Sequence, residues 1–109
     1  MKTDPKIVEA VQEAFAEAHK ASMAAMPQYD RADACGFGWV IIKPARGPVA
    51  RYLKDNGLAR AAYGGGLQVW NPGKTYSQSI TVAEEGAMAF ARVLRERLGV
   101  DAQADSRMD

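Results

Sequence analysis

Lys43 and Arg46 stand at the end of an apolar run, Trp39-Val40-Ile41-Ile42, just ahead of Gly47-Pro48, a pair that can open a helix. Two cations beside a helix start suit an anion, because side-chain charge and the unpaired N–H groups of the first turn favour the same sign. Pro48 removes one of those donors. Farther along, Tyr63, Trp70 and Tyr76 flank Gly64-Gly65-Gly66, and aromatic faces beside guanidinium groups are what base stacking uses. Gly65 lets a backbone approach a ligand closely, Ser77 and Gln78 offer hydrogen bonds, and Arg107 in the terminal Asp-Ser-Arg-Met-Asp adds a further guanidinium. The expected site is one ligand-binding surface made of Lys43, Arg46, Tyr63, Gly65, Trp70, Ser77, Gln78 and Arg107, suited to an anionic small molecule of nucleotide type. Core packing of each ring and solvated loop charges are the competing explanation.

Catalytic patterns are missing. The chain has no Walker A sequence, no HExxH and no GxSxG, and Gly36-Phe37-Gly38 lacks the third glycine of a dinucleotide fingerprint and precedes a strand. Cys35 is the single cysteine, which excludes a disulfide within the chain and a cysteine-based zinc site. Its expected role is a small buried residue at a strand start. His19 has no second ligand at metal-binding spacing and reads as a partly exposed helix residue. The expectation is binding without catalysis, with no catalytic residue, metal or cofactor.

At 109 residues, 48% hydrophobic and 25% charged, the chain has the composition of an ordinary globular protein and the length of one domain, residues 1–109. No apolar run reaches the roughly 18 residues of a membrane span, and acids interrupt the N-terminus where a signal peptide needs an apolar core, so a cytoplasmic protein without a membrane partner is expected. The net charge is +1, but residues 35–80 hold Lys43, Arg46, Arg51, Lys54, Arg60 and Lys74 against Asp55 alone, while both flanking segments are acidic. A basic middle favours an anionic partner locally.

The elements that must carry these residues follow from spacing. Asp4-Pro5 caps a helix over residues 5–25, with Ile7, Val11, Phe15, Ala18 and Ser22 on one face and Pro27 ending it. Residues 37–43 form a strand whose successive Val40, Ile41 and Ile42 predict cover on both faces, as in the centre of a sheet. A short helix over 48–56, a hairpin of strands 58–63 and 67–71 around the glycines, and a long helix opened by a Thr81-Val82-Ala83-Glu84 capping box follow. Ala83, Ala87, Phe90, Ala91, Leu94 and Leu98 make the stripe of that last helix, and Gly99 stops it. Alternation over 100–104 suggests an edge strand, leaving 106–109 as a polar tail with 34–105 as the core. The predicted fold is a two-layer α+β sandwich of three helices on a small, mostly antiparallel sheet of three to four strands, in the order α-β-α-β-β-α, with a last β.

The blocks CGFGWVIIKPARGP, YGGGLQVW, QS before AMAFARVL, and the ending DSRMD resemble a group of small uncharacterised proteins encoded by tailed phages and prophages. The resemblance covers roughly residues 34–109 and implies a phage accessory protein working in a bacterial host cytoplasm; it brings no activity and no functional residues. With the basic middle and the aromatic hairpin, it points to a protein that sequesters a nucleotide-type immune signal, an anti-defence role. The alternatives are nucleic-acid binding, against which the acidic start of the last helix counts, and inhibition of a host defence protein through the acidic outer helices. A homo-oligomer is expected, because a chain this short forms deep pockets most easily between subunits.

Overall fold

The computed structural model describes residues 4–109. Asp4 caps helix α1 (Pro5–Tyr29) by accepting from the Lys6 N–H at 2.9 Å, with Pro5 in the first turn. The helix runs past its expected end at residue 25, with Pro27 inside it. Pro27 lies in the last turn, where the carbonyl its ring crowds is near the frayed end and the loss of one donor is small.

Strand β1 (Gly36–Lys43) leads through exposed Lys43, Pro44 and Arg46 to the eight-residue helix α2 (Pro48–Asp55). The hairpin β2 (Arg60–Ala61) and β3 (Leu67–Trp70), then α3 (Ile80–Leu98) and β4 (Asp101–Met108), complete the chain. The sheet is antiparallel throughout, in the order β2-β3-β1-β4. Three helices pack on it, so the α+β sandwich and its element order are as the spacing predicts. Gly99 takes the left-handed conformation, φ 65°, that ends α3 and turns the chain into β4 within two residues.

β4 is longer than the alternation at 100–104 indicates. It pairs with the whole of β1, from Lys43↔Asp101 to Gly36↔Met108, so residues 106–108 are strand and not tail. The β1 pairing supplies the partners that alanine, a poor strand former, does not secure by itself. The Asp109 N–H donates to the Cys35 carbonyl at 3.0 Å, and by alternation the polar groups of positions 102, 104 and 106 face the open edge. That edge is partly closed from within: Arg95 donates to the Ala102 carbonyl at 2.8 Å, and the Asp105 carboxylate accepts from the Ser106 N–H at 2.8 Å.

The two faces of β1 differ, which corrects the expectation of cover on both. Gly36, Gly38, Val40 and Ile42 are buried under the helices, while Phe37, Trp39 and Ile41 on the other face are only partly covered. Small residues bring α3 close: a Cβ on Gly38 would lie 2.8 Å from the Ala83 carbonyl oxygen, and one on Gly36 2.7 Å from Ile80. The core is formed by Ile7, Val11 and Ala14 of α1, Leu53 of α2, Leu67 and Val69 of β3, and Phe90 and Leu94 of α3 around Val40 and Ile42. Phe15 meets Phe90 edge-on at 4.8 Å between centroids.

Helices α1 and α3 meet at the buried turn Pro72-Gly73. The hydroxyl of fully buried Ser22 donates to the Val82 carbonyl at 2.8 Å, and side chains on Gly73 or Gly86 would fall on that hydroxyl. His19 Nδ1 donates to the Gly73 carbonyl at 2.8 Å. A Cβ at Gly86 would also lie 3.0 Å from the Gly73 Cα, where backbone must move. Replacement Gly86→Ala is expected to destabilise the protein by about 1–3 kcal/mol despite alanine's better helix propensity. Urea denaturation checks this, and an unchanged or raised midpoint would contradict the packing account.

Candidate functional site

Along β1 the residues expected to share one site separate into two groups. Lys43 ends the strand opposite Asp101, while Phe37, six residues back, is opposite Arg107. At about 3.3 Å per residue the two cations sit roughly 20 Å apart along the sheet. Lys43, Arg46, Tyr63 and Gly65 belong to the end of the sheet where the glycine hairpin turns; Tyr63 is fully exposed there. Helix α2 starts at Gly47 without a side-chain cap, and none of these four residues lines either of the two cavities that meet at Trp70. Trp70, Ser77 and Gln78 do come together, on one cavity; Arg107 is not part of its lining and is only the cross-strand neighbour of Phe37, which is.

The gathering begins with the open face of the sheet. Trp39 and Trp70 are directly opposed in a pair without mutual backbone hydrogen bonds, since Gly38 and not Trp39 bonds to Asn71. Side chains in such a pair are at their closest, and the two indoles stack at 5.6 Å with 8° between planes. Phe37 adds a third ring 5.5 Å from Trp70. Trp70, between the other two rings, keeps 48% of its surface in solvent, so the middle ring of the row remains half exposed.

Two cavities meet at Trp70. The first, about 400 Å³, is a break in the sheet edge, bounded by Cys35 to Gly38, Trp70, Asn71, Ser77, Gln78, Ala83 and Asp109. Cys35 is exposed and not the buried residue expected, because it belongs to a single bridge to Ser79 at the sheet's margin; its thiol lies 3.7 Å from Gln78 Oε1. The second, about 380 Å³, lies between the hairpin and α1 and is lined by Phe15, residues 57–60, Gln68, Val69, Trp70 and Lys74. Arg60 and Lys74 are the only charged residues lining it. Lys74 is held over the Phe15 ring at 4.4 Å, and neither cation has a carboxylate partner among the described residues.

Sequence spacing did not single out Arg60 and Lys74, although both belong to the basic middle segment. Their joint placement depends on the turn at Asn71 and Lys74, both with positive φ (45° and 53°), where the Lys74 N–H donates to the Asn71 carbonyl at 3.0 Å. Among the described residues, no group of three or more His, Cys, Asp or Glu side chains can hold a metal ion, and no helix is long and apolar enough to cross a membrane.

The wall formed by Ser77 and Gln78 is fixed by a cap one residue pair earlier than the Thr81 box predicted. Ser79 is the N-cap of α3, accepting from the Val82 N–H at 3.2 Å, and its hydroxyl in turn donates to Asp33 at 2.7 Å. Asp33 also accepts from the Thr81 N–H at 2.9 Å. Hydrogen bonds from Thr81's side chain, then from Ser79 and the Thr81 backbone, lower the Asp33 carboxyl to about 2. A carboxylate depressed on folding stabilises above its unfolded value of about 3.9, and that contribution disappears as pH falls through the folded value. The variant Asp33→Ala is expected to melt below the unmodified protein at pH 7, with the gap closing between about pH 4 and pH 2. Melting curves across that range check it; a gap constant with pH would exclude the ionised latch.

Comparison of the chain with protein-family models, with curated proteins and with solved structures finds no match.

Proposed function

We propose that this protein binds a nucleotide-type ligand without transforming it, at the two cavities that meet on Trp70. The observation that carries the reading is the pairing of a half-exposed, pre-stacked indole with Arg60 and Lys74 around a cavity that no acid lines. A nucleobase gains about 1–3 kcal/mol from stacking on such a ring. The guanidinium and ammonium groups take the phosphate, one as a planar fork and the other as a point charge. Both volumes fall within the range of small-ligand pockets. The resemblance of residues 34–109 to tailed-phage proteins supports a biological setting in which the protein is a phage accessory factor that withdraws a nucleotide signal from host antiviral defence.

A second reading, binding of single-stranded nucleic acid across the open sheet face, is favoured by the row Phe37, Trp70 and Trp39. The two readings differ in ligand length and in dependence on Arg60 and Lys74.

Thermal-shift and calorimetric titration with mononucleotides, cyclic di- and trinucleotides and ADP-ribose derivatives tests the proposal. At least one is expected to raise the melting temperature. Trp70→Ala should weaken it by roughly tenfold or more, and Arg60→Ala together with Lys74→Ala should weaken it and flatten its salt dependence. Absence of a shift with every compound overturns the proposal, and tight binding of oligonucleotides alone transfers support to the second reading.

A further inference from the structure

The two edges of the sheet differ in what they leave open. β2 ends one side with only two residues, Arg60–Ala61, whereas β4 runs for eight, Asp101–Met108, in unbroken register with β1 and holds neither proline nor lysine. A long edge strand without such blocks is a template for another strand. On its open side, Arg95 meets the Ala102 carbonyl and the Asp105 carboxylate meets the Ser106 N–H. The Ala102 N–H, both backbone groups of Ala104 and the Ser106 carbonyl have no protein partner among the described residues. A carbonyl oxygen has two lone pairs, so Arg95 does not exhaust the one at Ala102.

We infer that this edge is a self-association surface, on which β4 pairs antiparallel with β4 of a second copy about a two-fold axis at Ala104; the inference does not rest on the nucleotide reading. The strand is complementary to itself in that register. Ala104 faces its counterpart and Ala102 faces Ser106, so the positions whose backbone groups point outward exchange their bonds with one another. Between them Asp101 faces Arg107 of the copy and Gln103 faces Asp105 of the copy, in the closer pairs without mutual backbone bonds. Arg107 has no ion-pair partner in its own chain among the described residues, and Lys43, opposite Asp101 on β1, adds a second cation beside that carboxylate. Within one chain Gln103 donates to Asp101 and Asp105 accepts from Ser106, local bonds that the pairing exchanges for contacts with the copy. The cost of the register is the diagonal approach of the two Asp105 carboxylates across the axis. Sliding the copy by two residues sets Asp101 opposite Asp105 in one direction and Asp105 opposite itself in the other, and larger slides shorten the ladder. The helical layer has the same symmetry. Glu84 accepts from the Ser106 hydroxyl and Arg95 donates to the Ala102 carbonyl, so α3 runs antiparallel along β4, with Met88 and Ala89 near midway and on one groove with Ala104. The charged residues of that groove are Glu85, Arg92 and the engaged Arg95. Rotation about the axis brings Glu85 of one copy beside Arg92 of the other, and Met88, 48% exposed, beside Ala89.

Sedimentation velocity of the full chain tests the pairing, and a species of twice the 11.8 kDa chain mass is expected. Arg107→Asp and Asp101→Arg are each expected to weaken self-association by about tenfold or more, because each change acts twice in a two-fold pair. An equimolar mixture of the two variants is expected to recover the dimer, since the facing charges of the mixed pair are again opposite in sign. Amide exchange on the unmodified protein reads the same interface without substitution: exchange at Ala102, Ala104 and Ser106 should slow as protein concentration rises. A monomer at millimolar concentration overturns the inference in favour of an edge closed by Arg95 and Asp105 alone. A dimer whose exchange at those three amides does not change with concentration, or a mixture of folded variants no more associated than either alone, overturns it as well.

Discussion

The contact on which the rest of the structure depends is the one where Ser22, Gly73 and Gly86 meet. A hydroxyl, the Cα of a turn and the bare backbone of a helix occupy space that a single methyl group would overfill. Ser22 has no room to turn outward and satisfies itself on the Val82 carbonyl, which joins α1 to the first turn of α3. His19, one turn before Ser22 on α1, fixes the Gly73 carbonyl. The Pro72-Gly73 turn is thus held between two helices, and the segment on either side of it, Asn71 and Lys74 to Gln78, forms walls of both cavities. Close packing of this kind has two discrete outcomes, fitted or displaced, because interiors are nearly incompressible.

Side-chain size divides the sheet into a covered and an open face. Gly36, Gly38, Ala102 and Ala104 admit α3 to the inner face, whereas Phe37, Trp39, Ile41 and Trp70 cover the outer face with their own bulk. Each ring of the stack shields its neighbour, so the second helical layer that a β1 apolar on both sides would require is replaced by aromatic contact within one face. Cross-strand aromatic pairs contribute about 0.2–1 kcal/mol each, too little to hide the central indole, and Trp70 is left half-exposed at the border of two cavities.

Local patterns carried most of the fold. The Asp4-Pro5 cap, the stripes of α1 and α3, the Gly99 stop and the glycine turn of the hairpin all rest on interactions within a few residues and form where their spacing places them, although the first hairpin strand, expected over 58–63, pairs only at Arg60–Ala61. The differences arise where distant residues decide. The Ser79 cap owes its place to Asp33, 46 positions away, and β4 owes its length to pairing with β1. The site was legible in part for the same reason. Trp70, Ser77 and Gln78 meet because they are near in sequence around one turn, but Lys43 and Arg107 were grouped by charge alone, and an antiparallel pairing puts them at opposite ends of the same strand. Arg60 and Lys74 carried no motif; only the fold of the hairpin against α1 joins them.

The basic middle of the chain is therefore not one basic surface. Lys43 faces Asp101 directly across the ladder, and Asp105 stands between it and Arg107 on the same face of β4, so acids from the last segment screen the cations that lie along that edge. Charges within about a Debye length, roughly 8–10 Å in physiological salt, offset one another in their effect on a ligand. Arg60 and Lys74 lie across the sheet, on the β2 side, where no acid lines the cavity and the Phe15 ring restrains the ammonium group. A pair of cations in a concave, partly apolar setting acts on an anion through a lower effective dielectric than the same charges on an open loop. Position relative to the acids of β4, rather than the number of lysines and arginines, is what separates a binding site from solvated charge in this protein.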